Sequence, residues 1–421
     1  MQKTLRQQAI DILRDNDRGG YTVPTARLYP YQWNWDSVFA ALGFATFDRN
    51  RAWEEIETLF SGQWEDGMLP HIIFHKTDPD YFPGPELWQS NTVPPSSGHS
   101  QPPVAASAIL TLMQTGGAMD RARAKALLPK LIGYHRWFHH FRDPDDTGVV
   151  GIIHPWESGR DNCPDWDVGM NAIEVPDDLG DLPRRDITHV DPSERPTAEQ
   201  YNRYLTIVKF GHDCRWDHLE IARNGPFFMV DPCVQFALMR ADHDLAQLAD
   251  EFGAPGIRNE AETWVKQAKA GCSSFWSEEA GGFVARDLRS GTLSTALTNA
   301  SAMAFYADAG TEDQQRRLLS EISAILEECV FGFPSWDPRD SRFESRRYWR
   351  GPIWSVVNYM IAIGLAEKGH GEIAERLRDD TRRVVEQSGF FEYFDPLTGE
   401  GLGGKLFTWT AAIHLAWADQ T

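Results

Sequence analysis

Residues 352–365, PIWSVVNYMIAIGL, are apolar nearly all round, whereas residues 371–387, GEIAERLRDDTRRVVEQ, confine their apolar side chains to one stripe of a charged surface. At helical spacing the first reads as a buried helix and the second as the helix that covers it. The buried kind recurs as WDSVFAALGF (35–44), PVAASAILTLM (103–113), LTNASAMAFYA (297–307) and FTWTAAIHLAWA (407–418). Helical spacing as a whole spans 3–15, 36–47, 50–61, 103–115, 119–142, 199–222, 232–251, 256–278, 294–308, 312–328, 353–368, 371–387 and 407–419. Convincing strands are few. Alternation of buried and amphipathic helices predicts an all-α fold with an inner and an outer ring, an α/α barrel. No strict short repeat is present, which disfavours an open solenoid.

Long connections at 62–102, 143–198 and 329–352 hold much of the Gly, Pro and Trp, and their aromatic content argues against disorder. Each precedes a buried helix, so the three should gather at one mouth. A length of 421 residues suggests two or three domains. No change of composition marks a linker, however, and the expectation is one domain over 1–421 with 62–102 and 143–198 as active-site loops. Asp231-Pro232 before CVQFALMRADHDLAQLA is the clearest helix start, an N-cap acceptor followed by proline at the first position.

With 41 Lys+Arg against 61 Asp+Glu, the net charge of −20 opposes nucleic-acid and anionic-membrane binding. The first twenty residues lack an apolar core of signal-peptide length and no segment is long enough to span a bilayer, so the expected compartment is the cytoplasm. Five scattered cysteines without CxxC spacing indicate neither a disulfide framework nor a cysteine zinc site. No metal-ligating spacing and no phosphate-cradling glycine loop appear, since GLGGK (401–405) has the spacing of neither nucleotide fingerprint. No cofactor or metal is expected.

Eight of the 16 tryptophans, Trp33, Trp35, Trp88, Trp156, Trp166, Trp349, Trp354 and Trp409, lie in or beside these entrances. Indoles at a concave mouth suit the apolar faces of sugar rings, although any one of them serves equally well as core packing. Carboxylates cluster with them in YPYQWNWDS (29–37), HPWESGRDNCPDWD (154–167) and FFEYFDPLTGE (390–400). Glycosidic cleavage needs one protonated carboxyl and one carboxylate across the sugar. The pattern leaves open which two. Asp36 also reads as the N-cap of its helix, and Asp165 as another helix start.

Four motifs, WNWDS, WESGRDN with PDWD, YWRGPIW followed by NY, and FFEYFDP, resemble glycoside hydrolase family 63 in order and spacing from Tyr29 to Trp409. The resemblance is closest to its short bacterial members that hydrolyse mannosylglycerate and glucosylglycerate. It implies an (α/α)6 barrel, Asp161 of SGRDN as general acid and Glu392 as general base. It further implies sugar contacts from Tyr29, Trp33, Trp35, Asp36, His71, Tyr81, Gln101, Trp156, Tyr348, Gly351 and Trp354. Homo-oligomers are common in the group.

A substrate with an anionic aglycone needs a local cation in a chain of this charge. Arg195 in ERPTAEQYNRY supplies one, with Tyr201 as a hydroxyl donor, both where the glyceryl-glycoside members bind glycerate; Arg184 and Arg185 are substitutes on the same loop. Pairing of Arg195 with nearby acids is the competing reading. The Pro- and Asp-rich stretch 174–198 suits a flap. The expected activity is therefore inverting hydrolysis of an α-mannosyl or α-glucosyl glycerate. Alternatives are an α-glucosidase or trehalase-like hydrolase of a neutral disaccharide, a sugar epimerase or isomerase, and a carbohydrate-binding helical scaffold. Arg160, beside the acid, should point away from it.

Overall fold

The computed structural model describes residues 3–26, 28–78, 81–179, 183–185 and 191–420. It is mostly helical, with short paired strands of two to five residues between the helices. Six helices of the buried kind, Asn34–Phe44, Ala105–Gln114, Pro232–Glu251, Asn299–Ala302, Ser355–Glu367 and Thr408–Ile413, touch one another in that order, and the last touches the first. The charged helices Arg49–Ser61, Ala118–Phe141, Pro255–Gly271 and Gly371–Ser388 each pack on the buried helix that precedes them. Helix Leu5–Asn16 closes the seam between the chain ends. Asn16 Nδ2 donates to Thr408 Oγ1 at 2.9 Å and to the Leu406 carbonyl at 3.1 Å.

The burial of each helix follows its composition. Every residue of Asn34–Phe44 is buried, whereas Glu312–Glu327 buries only Leu318, Ile322, Ile325 and Leu326, a single stripe at i, i+4, i+7 and i+8. Asp231 caps Pro232–Glu251 as expected, accepting from the Cys233 amide at 3.0 Å. One apolar cluster runs from Ala9 to Leu415, and a second, including Tyr31, Trp33, Ile72, Trp88, Ile153 and Trp216, fills the loops above it.

Four helical expectations need correction, the first being 256–278, whose helix ends at Gly271 and gives way to a 3-10 turn, Cys272–Phe275, and the strand Trp276–Ser277. The segment 199–222 is two helices, Ala198–Asp213 and His218–Asn224, because Arg215 and Trp216 both take left-handed φ (55° and 59°). That turn seats the Trp216 indole, which donates to the Trp88 carbonyl at 2.8 Å. Within 294–308 only Asn299–Ala302 is α-helical, and the following residues wind in tighter i→i+3 turns such as Ala304 to Ser301. Asp36 is not an N-cap: Trp33 holds that position and Asp36 stands inside the first turn. Of the expected flap 174–198, residues 180–182 and 186–190 lie outside the described residues. No helix among the described residues is long and apolar enough to cross a membrane.

Candidate active site

The N-terminal ends of Asn34–Phe44 and Thr408–Ile413, and the residues leading into Ala105–Gln114 and Ser355–Glu367, face a cavity of about 570 Å³ roofed by the long loops. Trp35 and Asp36 come from the first turn of Asn34–Phe44, Trp409 from that of Thr408–Ile413, and Gln101 and Tyr348 from the residues leading into Ala105–Gln114 and Ser355–Glu367. The loop 62–102 contributes His71, Asp78, Tyr81 and Trp88, and the loop 143–198 contributes Trp156, Gly159, Asp161, Arg185 and Arg195. A short antiparallel pairing of Gln32–Trp33 with Ile72–Ile73 sets Trp33 and His71 on the same wall.

Asp161 is presented by a tight turn. His154 caps Pro155–Ser158 through the Trp156 amide (2.9 Å), and Gly159 ends it at φ +69°. Both the left-handed φ and the space require glycine, since a Cβ there would lie 2.6 Å from the Trp35 ring. The flanking backbone is pinned: Tyr204 donates to the Asp161 carbonyl, and the Trp166 indole to that of Arg160 at 2.8 Å. Arg160 does turn from the cavity. Its guanidinium is fully buried against Asp231 (2.6 Å) and Asp165 (3.2 Å), and Asp165 reaches it from the first turn of the 3-10 helix Pro164–Trp166 that leads into helix Asp167–Asn171. Below the turn Glu157 receives Arg142 at 2.8 and 2.9 Å, and both side chains are fully buried. Losing one partner of such a pair strands a charge, a cost of about 3–5 kcal/mol.

Glu392 sits on strand Phe391–Phe394, paired with Gly401–Lys405. The partner strand brings glycine backbone onto the carboxylate: the Gly404 amide donates to Oε2 at 2.9 Å, and a Cβ on Gly403 would lie 2.5 Å from that oxygen. Thus GLGGK, which matches no nucleotide fingerprint, cradles a side-chain anion instead. The Tyr29 hydroxyl donates to Oε1 at 3.0 Å, and Arg195 Nη2 to Oε2 at 3.1 Å. Arg195 Nη1 donates to the Tyr29 hydroxyl at 2.9 Å, with the guanidinium 4.4 Å from the Tyr348 ring centre. Burial opposes the Arg195 charge, but the surrounding Tyr29 and Glu392 oxygens outweigh it and hold the group cationic.

Burial, reinforced by the Glu392 charge, holds the Asp36 carboxyl well above the usual carboxylate range, so it favours its protonated form. His71 is held well below the ordinary imidazole value by burial and the neighbouring His154, and is neutral. Gln101 accepts the Trp35 amide at 3.3 Å. The Arg184 guanidinium lies 4.4 Å from the centre of the Tyr201 ring.

The cavity thus gathers Asp161, Glu392, Tyr29, Trp33, Trp35, Asp36, His71, Tyr81, Gln101, Trp156, Arg195, Tyr201 and Tyr348. Gly351 and Trp354 do not line it. Trp354 is fully buried, stacked on Trp349 (3.7 Å, 4°) and Tyr393 (4.6 Å), and so supports the wall from behind. Gly351 donates to Ser335 Oγ, and a Cβ there would meet the Glu344 carbonyl at 2.5 Å; it is a close-packing glycine. Trp166 and Trp349 are likewise core. Sequence reasoning missed Asp78, Phe82, Phe407 and Tyr204 in the lining. Tyr204 alone carried a signal, standing three residues after Tyr201 on one helical face.

Residues 29–410 match the family described as the mannosylglycerate hydrolase MGH1-like glycoside hydrolase domain. Mannosylglycerate hydrolase MGH1 of Selaginella moellendorffii is 42% identical, over 99% of this chain and 87% of that protein. Glucosylglycerate hydrolase of Mycolicibacterium hassiacum is 32% identical over 98% and 97% of the two chains. The crystal structure of the GH63 mannosylglycerate hydrolase from Thermus thermophilus in complex with Tris and D-glycerate aligns with a TM-score of 0.94 at 42% identity, covering 98% of this chain and 100% of that one. Helices ringed beneath a mouth of indoles and carboxylates, with these relatives, define a glycoside hydrolase. The chain belongs to the mannosylglycerate hydrolase MGH1-like group of glycoside hydrolase family 63.

Proposed function

We propose that the protein is an inverting hydrolase of α-mannosyl or α-glucosyl glycerate, working from one domain whose closed order of helix contacts is an (α/α)6 barrel. Asp161 donates its proton to the glycosidic oxygen as the bond to the anomeric carbon breaks. Glu392 takes a proton from the water that attacks that carbon from the opposite face. Asp161 ends as the carboxylate and Glu392 as the acid, and exchange with solvent resets both. Trp33, Trp35, Trp156 and Trp409 offer flat apolar faces to the sugar, and Asp36, Gln101 and His71 offer polar atoms to its hydroxyls.

The observation that carries this reading is the position of Arg195. A buried guanidinium stands on the same cavity wall as Glu392, bonded to it at 3.1 Å, in a chain of net charge −20. Such a cation is costly to bury and supports an anionic aglycone in preference to a neutral sugar. Tyr201, on the same cavity, supplies a hydroxyl to the glycerate.

The decisive experiment follows the first-formed anomer by NMR with mannosyl- and glucosylglycerate. Release of the β anomer is expected, with turnover falling about 10²–10⁴-fold in Asp161→Asn and in Glu392→Gln. Release of the α anomer, or full turnover in either variant, rejects the assignment. Arg195→Ala should lose far more kcat/KM on the glycerates than on the corresponding glycosyl glycerols, and equal losses would remove the clamp.

A further inference from the structure

Asp161 stands on backbone that belongs to no helix or strand, the segment 159–163 between Pro155–Ser158 and Pro164–Trp166. The direction of a side chain on such a segment is set by the two rigid peptide planes that flank its Cα. For Asp161 those planes carry the carbonyls of Arg160 and Asp161, and each accepts from a side chain: the first from the Trp166 indole at 2.8 Å, the second from the Tyr204 hydroxyl. The next carbonyl, of Asn162, accepts from Arg350 Nη1 at 3.4 Å, and the same guanidinium forks onto Asp167 at 2.9 and 3.1 Å. Tyr204 is tied to the start of the turn as well. His154 Nδ1 accepts the Trp156 amide at 2.9 Å, which leaves the ring proton on Nε2 to be donated to the Tyr204 carbonyl at 3.1 Å.

We infer that Tyr204 is a positioning residue for the general acid: it staples helix Ala198–Asp213 to both ends of the turn 154–161 and so aims the Asp161 carboxyl, with Arg350 as a second hold one residue on. The inference rests on the reading of Asp161 as the acid. Burial, reinforced by Asp161, holds the Tyr204 phenol well above its ordinary value, so the proton stays on it at neutral pH. A hydroxyl has one proton to give, and the Asp161 carbonyl takes it. Tyr204 therefore has none to offer a substrate, although it lines the cavity. The same helix carries Tyr201 one turn earlier, and Arg195 stands two residues before its Thr197 cap. The proposed aglycone contacts and the hold on the acid thus share one rigid element.

The test compares two substrates that share the base and the attacking water but differ in their need for the acid. Glycerate must be protonated as it leaves, whereas fluoride departs from the corresponding α-glycosyl fluoride with little help. Tyr204→Phe keeps the ring and removes the hydrogen bond. Its kcat on the glycosyl glycerate should fall about tenfold with KM unchanged, part of the cost of a misplacement on the order of 1 Å. On the fluoride its kcat should stay within about twofold of the wild type. In the Asp161→Asn background, where the acid is already gone, Tyr204→Phe should cost nothing further. Equal losses on both substrates, an unchanged kcat on the glycerate, or a further loss in the Asp161→Asn background overturns the assignment. Asp161→Asn itself must lose turnover on the glycerate and spare the fluoride; failure there removes the acid, and the role of Tyr204 with it. Arg350→Lys, which gives up the fork onto Asn162 and Asp167 but keeps the charge, should show the same selective loss. It carries the test if Tyr204→Phe does not fold, equal losses on the two substrates again overturning the assignment.

Discussion

His99 is buried with neither ring nitrogen in a hydrogen bond, stacked on Trp88 at 5.0 Å and set 4.7 Å and 5.2 Å from His71 and His154. Burial, aided by these imidazoles, holds it well below the ordinary value; His218 is lowered in the same way, and His154 falls to about 3. Between those low values and the ordinary one near 6.5 the unfolded chain binds more protons than the fold, so stability drops as pH falls through that window. Asp36, held high, works in the opposite sense, which makes a comparison between variants the clean measurement. His99→Phe should flatten the fall in urea-unfolding free energy from pH 7 to 5 by up to about 1.4 kcal/mol per pH unit, one proton's worth. Parallel slopes would mean that His99 does not titrate in this way. The motifs name Asp161 and Glu392 by resemblance, and the need for a local cation singles out Arg195 in ERPTAEQYNRY. Neither carries a sign that Arg195 bonds Glu392, because the two are 197 positions apart and meet only through the fold.

Elements are legible where local chemistry decides them. Pro232–Glu251 can be read at both ends because a capping aspartate, a proline and a continuous apolar pattern agree. The break at Arg215-Trp216 cannot, since it is made by an indole docking onto Trp88, a tertiary contact. The turn that presents Asp161 is the element on which turnover depends most. Gly159→Ala must push against Trp35 and leave a left-handed φ, which displaces Asp161 while the helices beneath stay packed. An expected loss of about 10²-fold in kcat, with a circular dichroism spectrum like that of the wild type, follows from a misplacement on the order of 1 Å. A wild-type kcat would show that the turn tolerates a side chain.

Across the whole molecule, the helix contacts form a closed order whose seam is the meeting of the two chain ends: Arg6 Nη1 lies 3.5 Å from Asp419 Oδ2, and Asn16 holds Thr408. Neighbouring ends tolerate being joined. A circular permutant that links the ends by a short flexible segment and opens at Gly369, in the exposed turn between Ser355–Glu367 and Gly371–Ser388, should fold and keep turnover within a few-fold. Failure to recover folded, active protein would show that the seam must form from free ends. The opening lies at the C-terminal end of a buried helix, away from the mouth, so activity reports closure of the ring rather than damage to the site.

The sequence by itself determined the two kinds of helix, their alternation and the gathering of the long loops at one mouth, because helical spacing and side-chain hydrophobicity are local properties that burial must satisfy. Its motifs, by resemblance, also determined the family and the carboxylates to examine. Only the tertiary structure decided which aromatic residues meet the cavity, setting Trp33 and Trp409 on its wall and Trp349 and Trp354 behind it. It alone seated Arg195 on Glu392 and turned GLGGK into a cradle for that carboxylate. These are contacts between segments distant in the chain, and neither composition nor spacing records which face of a buried residue meets another.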